Sequence, residues 1–169
     1  MRYLDNVNQS ITERRDIVIE TAFKLFAENR IEPVTMTVVA NNCNMGVASI
    51  YRYFGTKKEL VIAVATKKWR EYYGELQRHY NELNVEKMTA AQELEFYIDR
   101  YIDLYKENSD LLNFNANFSI YIGSEDTTKD EMKPYNSIID KFVNKFHMLY
   151  KKAQDDKTVR TDISEKSIF

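Results

Sequence analysis

Four glycines and two prolines among 169 residues leave this chain few places where its backbone can turn tightly. All-β sandwiches and barrels need turn signals at roughly every 8–12 residues, so they are excluded. Collagen-like and low-complexity architectures fail on the same count. Apolar residues recur instead at the spacing of a helix face: Ile17, Thr21 and Leu25 run beside Val18, Ala22 and Phe26 in two rows at i, i+4 and i+8. Hydrophobic residues make up 44% of the chain and charged residues 30%, enough for a core and a charged surface, which excludes disorder as the main state. The expected fold class is all-α, in one domain or two small ones.

Lys+Arg 24 against Asp+Glu 26 gives a net charge of -2, so any surface that attracts nucleic acid must be local. The single Cys43 cannot form an internal disulfide, which fits a reducing cytoplasm. MRYLDNVNQS lacks an apolar signal core, and no apolar run approaches the roughly 18 residues that span a bilayer. A cytoplasmic protein with no membrane partner is expected. Phosphate-binding glycine loops, H-E-x-x-H and C-x-x-C are all missing from the sequence. His79 and His147 stand far apart with no cysteine or paired carboxylate motif nearby. No catalytic residues, metal ligands or cofactors are therefore expected, and the chain does not read as an enzyme.

Ser10-Ile11-Thr12-Glu13 has the form of a capping box, worth about 1 kcal/mol, and predicts the start of a first helix buried from Ile11 to Ala27. Thr35 is the expected cap of a short second helix carrying Val38, Val39 and Cys43, the last a small core filler. Asn42 to Gly46 reads as a turn, with asparagine tolerating a left-handed backbone and Gly46 opening a helix from Val47 to Phe54. Gly55 ends that helix, and Thr56-Lys57-Lys58-Glu59 is a second capping box, opening a long helix through Leu60, Val64 and Trp69. The second and third helices, about three residues apart, fit a helix-turn-helix. Further stripes follow: Leu94, Ile98, Tyr101, Ile102 and Tyr105; Leu111, Phe114, Phe118 and Tyr121; then Tyr135, Ile138, Ile139, Phe142, Phe146 and Leu149. Polar connectors are expected at Asn81–Met88 and Gly123–Lys133.

Met45 to Lys58 carries Arg52, Lys57 and Lys58 with no acid, a local charge of +3, interleaved with the hydroxyls of Ser49, Tyr51 and Tyr53. Cations, hydroxyls and the free N–H groups of a helix start suit phosphate together. On charge alone a solvated basic corner fits as well; the helix-turn-helix pattern decides for DNA. Arg52, on the outer side of the short helix, reaches phosphate or a guanine edge in that reading, and is a free surface arginine in the other.

Ala22-Phe23-Lys24-Leu25-Phe26, then Thr35 to Val39-Ala40, then Tyr51-Arg52-Tyr53-Phe54-Gly55-Thr56-Lys57-Lys58-Glu59-Leu60 form a long spaced pattern. Over Arg15–Leu60 this resembles the DNA-binding domain of the TetR family of transcriptional regulators. It departs from the family at Arg30, where glycine is usual, in the turn Cys43-Asn44-Met45-Gly46, and at Ala48, marking a divergent member. The resemblance implies that Thr35, Ser49, Tyr53 and Lys57 touch phosphates, and that Val47, Ala48, Tyr51 and Thr37 face base edges. Phe26, Ala40, Ile50 and Phe54 are assigned to the three-helix core.

The expected organisation is a helix-turn-helix DNA-binding domain over residues 1–57 and a helical effector-binding and dimerisation domain over 58–169. Tyr97, Tyr101, Phe114, Phe118 and Tyr121 are candidates to line a cavity for an apolar or aromatic effector, although such stripes also suit plain core. The expected partners are double-stranded operator DNA, a small-molecule effector and a second copy of the chain; the expected function is a repressor released by the effector. The alternative is a helical ligand-binding or protein-interaction module that has lost operator binding. The resemblance further implies two dimer-forming helices starting near Asp162, capped by Thr161 or Ser164. With those C-terminal helices missing, the 169-residue chain is expected to dimerise weakly and to leave an apolar patch.

Overall fold

The computed structural model describes residues 2–168, with side chains described from 11 to 167. Every regular element among the described residues is helical: α1 (Arg2–Asn29), α2 (Met36–Asn42), α3 (Val47–Tyr53), α4 (Lys57–Asn81), α5 (Ala90–Glu107), α6 (Ser109–Ser124), α7 (Lys129–Asp156) and α8 (Glu165–Ile168), with one 3-10 turn at Val85–Lys87. The all-α expectation holds. By packing, the chain forms two compact units, residues 1–68 with 110–135 and residues 69–109 with 136–169.

In the first unit α1, α2, α3 and the start of α4 enclose an apolar core. Phe26, Ala40, Ile50 and Phe54 are all buried, as assigned from sequence, and Ile31, Val39, Leu60, Val61 and Val64 complete it. The buried face of α1 is Val18, Ala22 and Phe26 with Ile19 and Phe23 beside it, while Ile11 and Ile17 are exposed. The expected start of this helix is corrected: α1 begins at Arg2, so Ser10, whose side chain lies outside the described residues, sits within the helix rather than at its cap. The α6 stripe is buried throughout. Phe114 meets Phe23 edge to face at 5.6 Å and Phe26 at 6.4 Å, and Phe118 packs 4.8 Å from Tyr135. Lys67 bridges from α4 to Asp16 of α1 at 2.9 Å.

The connector expected at Gly123–Lys133 is shorter than the polar composition suggested. Thr128 and Glu131 form a capping box that the sequence reading passed over: Glu131 N–H donates to Thr128 Oγ1 at 3.2 Å, and Thr128 N–H to Glu131 Oε2 at 2.7 Å. It opens α7 at Lys129, and Pro134, in the second turn, forgoes one backbone hydrogen bond.

The second unit is built from residues 69–81 of α4, from α5 and from residues 136–156 of α7. Thr89 and Gln92 cap α5, and Asp156 accepts from Ala90 N–H at 2.6 Å, holding the helix start on the end of α7. The face that α5 buries is Ala90, Glu93, Tyr97 and Leu104. This overturns the expected stripe: Ile98, Tyr101, Ile102 and Tyr105 are exposed, from 42% at Ile102 to 68% at Tyr105. Two faces of this helix show helical spacing, and the one that packs carries Glu93, a charge that hides it from a hydropathy pattern.

Candidate nucleic-acid interface and effector cavity

Local hydrogen bonds cap and turn the helix-turn-helix. Thr35 is extended (φ -89°, ψ 161°) and its Oγ1 accepts from Val38 N–H at 3.2 Å, capping α2 as expected. At the other end Cys43 N–H and Met45 N–H return to Val39 O and Ala40 O, both at 3.0 Å. Asn44 adopts φ 53°, the left-handed conformation read from the sequence. Gly46 caps α3 with φ -67° and open space around its Cα, so neither conformation nor crowding demands glycine there. Arg30, where the family pattern has glycine, takes φ 66°: the turn keeps the left-handed geometry and the arginine bears the strain.

After α3, Phe54 turns inward, and Thr56 Oγ1 accepts from Glu59 N–H at 3.1 Å. The second capping box is half as expected, because the Glu59 carboxylate accepts from Gly55 N–H at 2.9 Å rather than from the cap residue. A Cβ at position 55 would lie 3.2 Å from that carboxylate, so here the glycine provides room.

Of the residues expected at DNA, Thr35, Thr37, Ala48, Tyr51 and Arg52 are exposed, while Val47, Ser49, Tyr53 and Lys57 are half-buried. Arg52 lies 5.6 Å over the Tyr53 ring. Arg15 donates to Tyr53 O and stacks 4.3 Å over the Phe54 ring, fastening the end of α3 to α1. Burial works to raise the Tyr53 phenol, but hydrogen bonding and charge from Arg52 and Arg14 outweigh it and hold the phenol below its usual range. The pair Arg14-Arg15 thus joins Arg52 in one basic cluster. The sequence reading missed both, and their adjacency on α1 was the available signal.

The lysines behave differently from the expected patch. Lys57 Nζ donates to Glu32 O at 2.9 Å and sits 5.4 Å over the Tyr121 ring; burial pushes its ammonium below the usual range. Lys58 donates to Asp126 O at 2.8 Å and pairs with Glu131 at 2.7 Å, which draws that carboxyl down to about 2. The stretch without acid in sequence is thus met by acceptors from elsewhere in the fold.

The five effector-pocket candidates fall in two places. Phe114, Phe118 and Tyr121 are buried in the first unit, stacked on its core. Tyr97 and Tyr101 line a cavity of about 200 Å³ in the second unit, together with Trp69, Tyr72, Phe142 and Phe146. Trp69 meets Phe142 edge to face at 5.7 Å, and Tyr97 lies 5.9 Å from Tyr80 in a stacked pair. Beside this cavity Glu93 is buried, accepting from Tyr80 Oη at 2.5 Å and pairing with Lys152 at 2.9 Å. Among the described residues no group of three or more His, Cys, Asp and Glu is placed to hold a metal ion. No helix among them is long and apolar enough to cross a membrane.

Residues 18–64, from α1 to the start of α4, match the family model for bacterial regulatory proteins of the tetR family. An HTH-type transcriptional regulator of Staphylococcus aureus is 26% identical over 91 residues, 52% of this chain and 49% of the relative. The match thus spans about half the length of that curated relative. Two solved structures share the fold over most of the chain. The fatty acid degradation regulator FadR from Bacillus halodurans has a TM-score of 0.69 at 13% identity, covering 91% of this chain and 75% of the other. The transcriptional regulator FadR from Bacillus subtilis in complex with stearoyl-CoA has a TM-score of 0.68 at 16% identity, covering 89% and 76%. In its helix-turn-helix, residues 18–64, this chain is similar to the tetR family of bacterial regulatory proteins.

Proposed function

We propose that the chain is a sequence-specific, DNA-binding transcriptional regulator whose grip on its operator is released by a small molecule, as a repressor. The observation that carries this reading is the face of α2 and α3, where Thr37, Ala48, Tyr51 and Arg52 stand exposed beside a capped helix start. In this reading Val47, Ala48, Tyr51 and Thr37 meet base edges, and Thr35, Ser49, Tyr53 and Lys57 meet phosphates. Arg14 and Arg52 add backbone charge beside Tyr53. Residues 1–57 read the DNA; residues 58–169 bind the effector and a second copy of the chain. Two copies set their recognition helices about 34–36 Å apart, on successive major grooves. The effector acts by favouring the conformation in which that spacing no longer fits.

A titration of labelled duplex DNA from the region upstream of the gene, at several salt concentrations, tests this. Lys57→Ala should weaken binding to all sequences and flatten the salt dependence by about one counterion, whereas Tyr51→Ala should also relax base preference. An affinity and salt slope unchanged in both variants would reject the contact assignment. The alternative, a ligand-binding module that no longer holds an operator, draws support from the intramolecular partners of Lys57 and Lys58. It predicts no salt-dependent duplex binding by the unaltered chain.

A further inference from the structure

α5 has two faces at helical spacing, and its own unit packs one of them. Ala90, Glu93, Tyr97 and Leu104 are buried, whereas Ile98, Tyr101, Ile102 and Tyr105 stand exposed. Their spacing of i, i+3, i+4 and i+7 makes one continuous stripe of about two turns, roughly 10 Å long. Apolar side chains scattered singly are ordinary surface, but a contiguous row that includes two tyrosines marks a place where another molecule sits.

The charged border of the stripe identifies that molecule. Glu95, Asp99 and Lys106 are exposed on one flank, roughly 60–100° around the helix from Ile98 at 3.6 residues per turn. None of the three is ion-paired among the described residues, while Arg100 and Asp103, farther round, pair with each other at 2.7 Å. The flank is thus acidic beside the first half of the stripe and basic beside the second. A two-fold axis perpendicular to the helix, midway between Tyr101 and Ile102, lays a second α5 antiparallel on the first and keeps both charged flanks on one side. It sets Ile98 opposite Tyr105 and Tyr101 opposite Ile102. The same axis brings Lys106 level with Tyr97, midway along the helix between Glu95 and Asp99 of the second copy. A partner of another kind would not require the apolar row and the charged border to share one centre.

We propose that the exposed stripe of α5 is a homodimer interface. Two copies pack antiparallel through Ile98, Tyr101, Ile102 and Tyr105, with Lys106 of each between Glu95 and Asp99 of the other. This rests on the reading that residues 58–169 bind a second copy of the chain, and it names the face that does so. So short a stripe buries less than the roughly 1,200–2,000 Å² of a standard interface, so the dimer is weak and reversible, in the micromolar range.

Sedimentation equilibrium of the full chain at low salt, where charges at the rim are least screened, tests this. A monomer–dimer equilibrium that shifts with concentration is expected. Tyr105→Ala should weaken it at least about tenfold by removing apolar contact from both copies. Lys106→Glu should weaken it about tenfold, because attraction becomes repulsion at both ends of the interface. Adding Glu95→Lys and Asp99→Lys to Lys106→Glu reverses the whole border and should restore the affinity of the unaltered chain. All these positions are exposed, so helix content by circular dichroism should stay unchanged in every variant. A dimer that neither single substitution weakens, or a triple variant no tighter than Lys106→Glu, would overturn the α5 interface and leave the second-copy reading standing. A monomer at every concentration up to about 100 μM would overturn both and assign the stripe to a partner of another chemistry.

Discussion

The two compact units are made of different material. The first packs Val18, Ala22, Phe26, Val39, Ala40, Ile50, Phe54 and Leu60 to near-complete burial, and its buried polar residue, Thr66, donates to Ile62 O at 2.7 Å. The second has a smaller core around Leu76, Ala90, Tyr97, Leu149 and Ala153, widened by half-buried rings such as Tyr80, Phe96, Phe142 and Phe146. Among its described residues it also holds the buried Glu93 and three buried polar atoms with no hydrogen bond of ordinary geometry, Gln77 Nε2, Tyr97 Oη and Arg100 Nε. Close packing of fully buried side chains leaves one arrangement. Half-buried rings around a cavity leave room that a ligand can fill. The proposed function, a reader of DNA joined to a receptor for small molecules, calls for those two kinds of interior.

The largest expected effect breaks the comparison if it is uniform. Phe26→Ala in the first unit should cost about 3–5 kcal/mol, the usual price of a fully buried phenylalanine. Phe146→Ala, in a half-buried ring beside an existing cavity, should cost about half as much or less by the same accounting. Urea unfolding followed by circular dichroism measures both, and equal losses would show that the two interiors are equally tight.

Backbone strain sharpens the first unit further. Asn44→Val should destabilise by about 1–2 kcal/mol, whereas Asn44→Gly should be neutral or stabilising. Arg30→Gly should stabilise by about 1 kcal/mol, because glycine holds φ 66° without a Cβ clash. Melting temperatures decide it, and a destabilised Arg30→Gly variant would mean that the arginine side chain earns its place by packing.

Tyr97→Phe in the second unit should change stability by less than about 1 kcal/mol, since its hydroxyl meets Tyr80 only in poor hydrogen-bond geometry. A clear loss would reveal a hydrogen bond there and make the second interior as satisfied as the first.

The smallest effect is the acid response of the first unit. Pairing with Lys58 and hydrogen bonds from Thr128 depress the Glu131 carboxyl from 4.5 to about 2, so its contribution is complete above pH 4.5 and fades as pH falls toward 2. Glu131→Gln should flatten the dependence of melting temperature on pH within that window. A slope equal to that of the unaltered chain would show that the carboxylate gains nothing from Lys58 in solution.

Legibility followed the range of the interactions. Thr35, Asn44 and Thr56 were readable because a cap or a left-handed turn is satisfied within four residues of sequence. The α6 stripe was readable because Leu111, Phe114, Phe118 and Tyr121 share one buried face. On α5 the pattern misled, since an exposed stripe of Ile98, Tyr101, Ile102 and Tyr105 outscored a packed face that contains Glu93. That carboxylate is tolerable inside only because Tyr80 and Lys152 arrive from other helices.

By itself the sequence determined the helical class, the three-helix core of Phe26, Ala40, Ile50 and Phe54, and the turn that sets α2 against α3. These rest on periodicity and on caps between near neighbours, which any chain with this local order must satisfy. Only the tertiary structure decided that Lys57 and Lys58 face protein acceptors, that Arg14 and Arg15 flank α3, and that Tyr97 and Tyr101 share a cavity apart from Phe114, Phe118 and Tyr121. Each of these depends on partners tens of residues away, whose meeting is set by how helices pack and leaves no mark in local spacing.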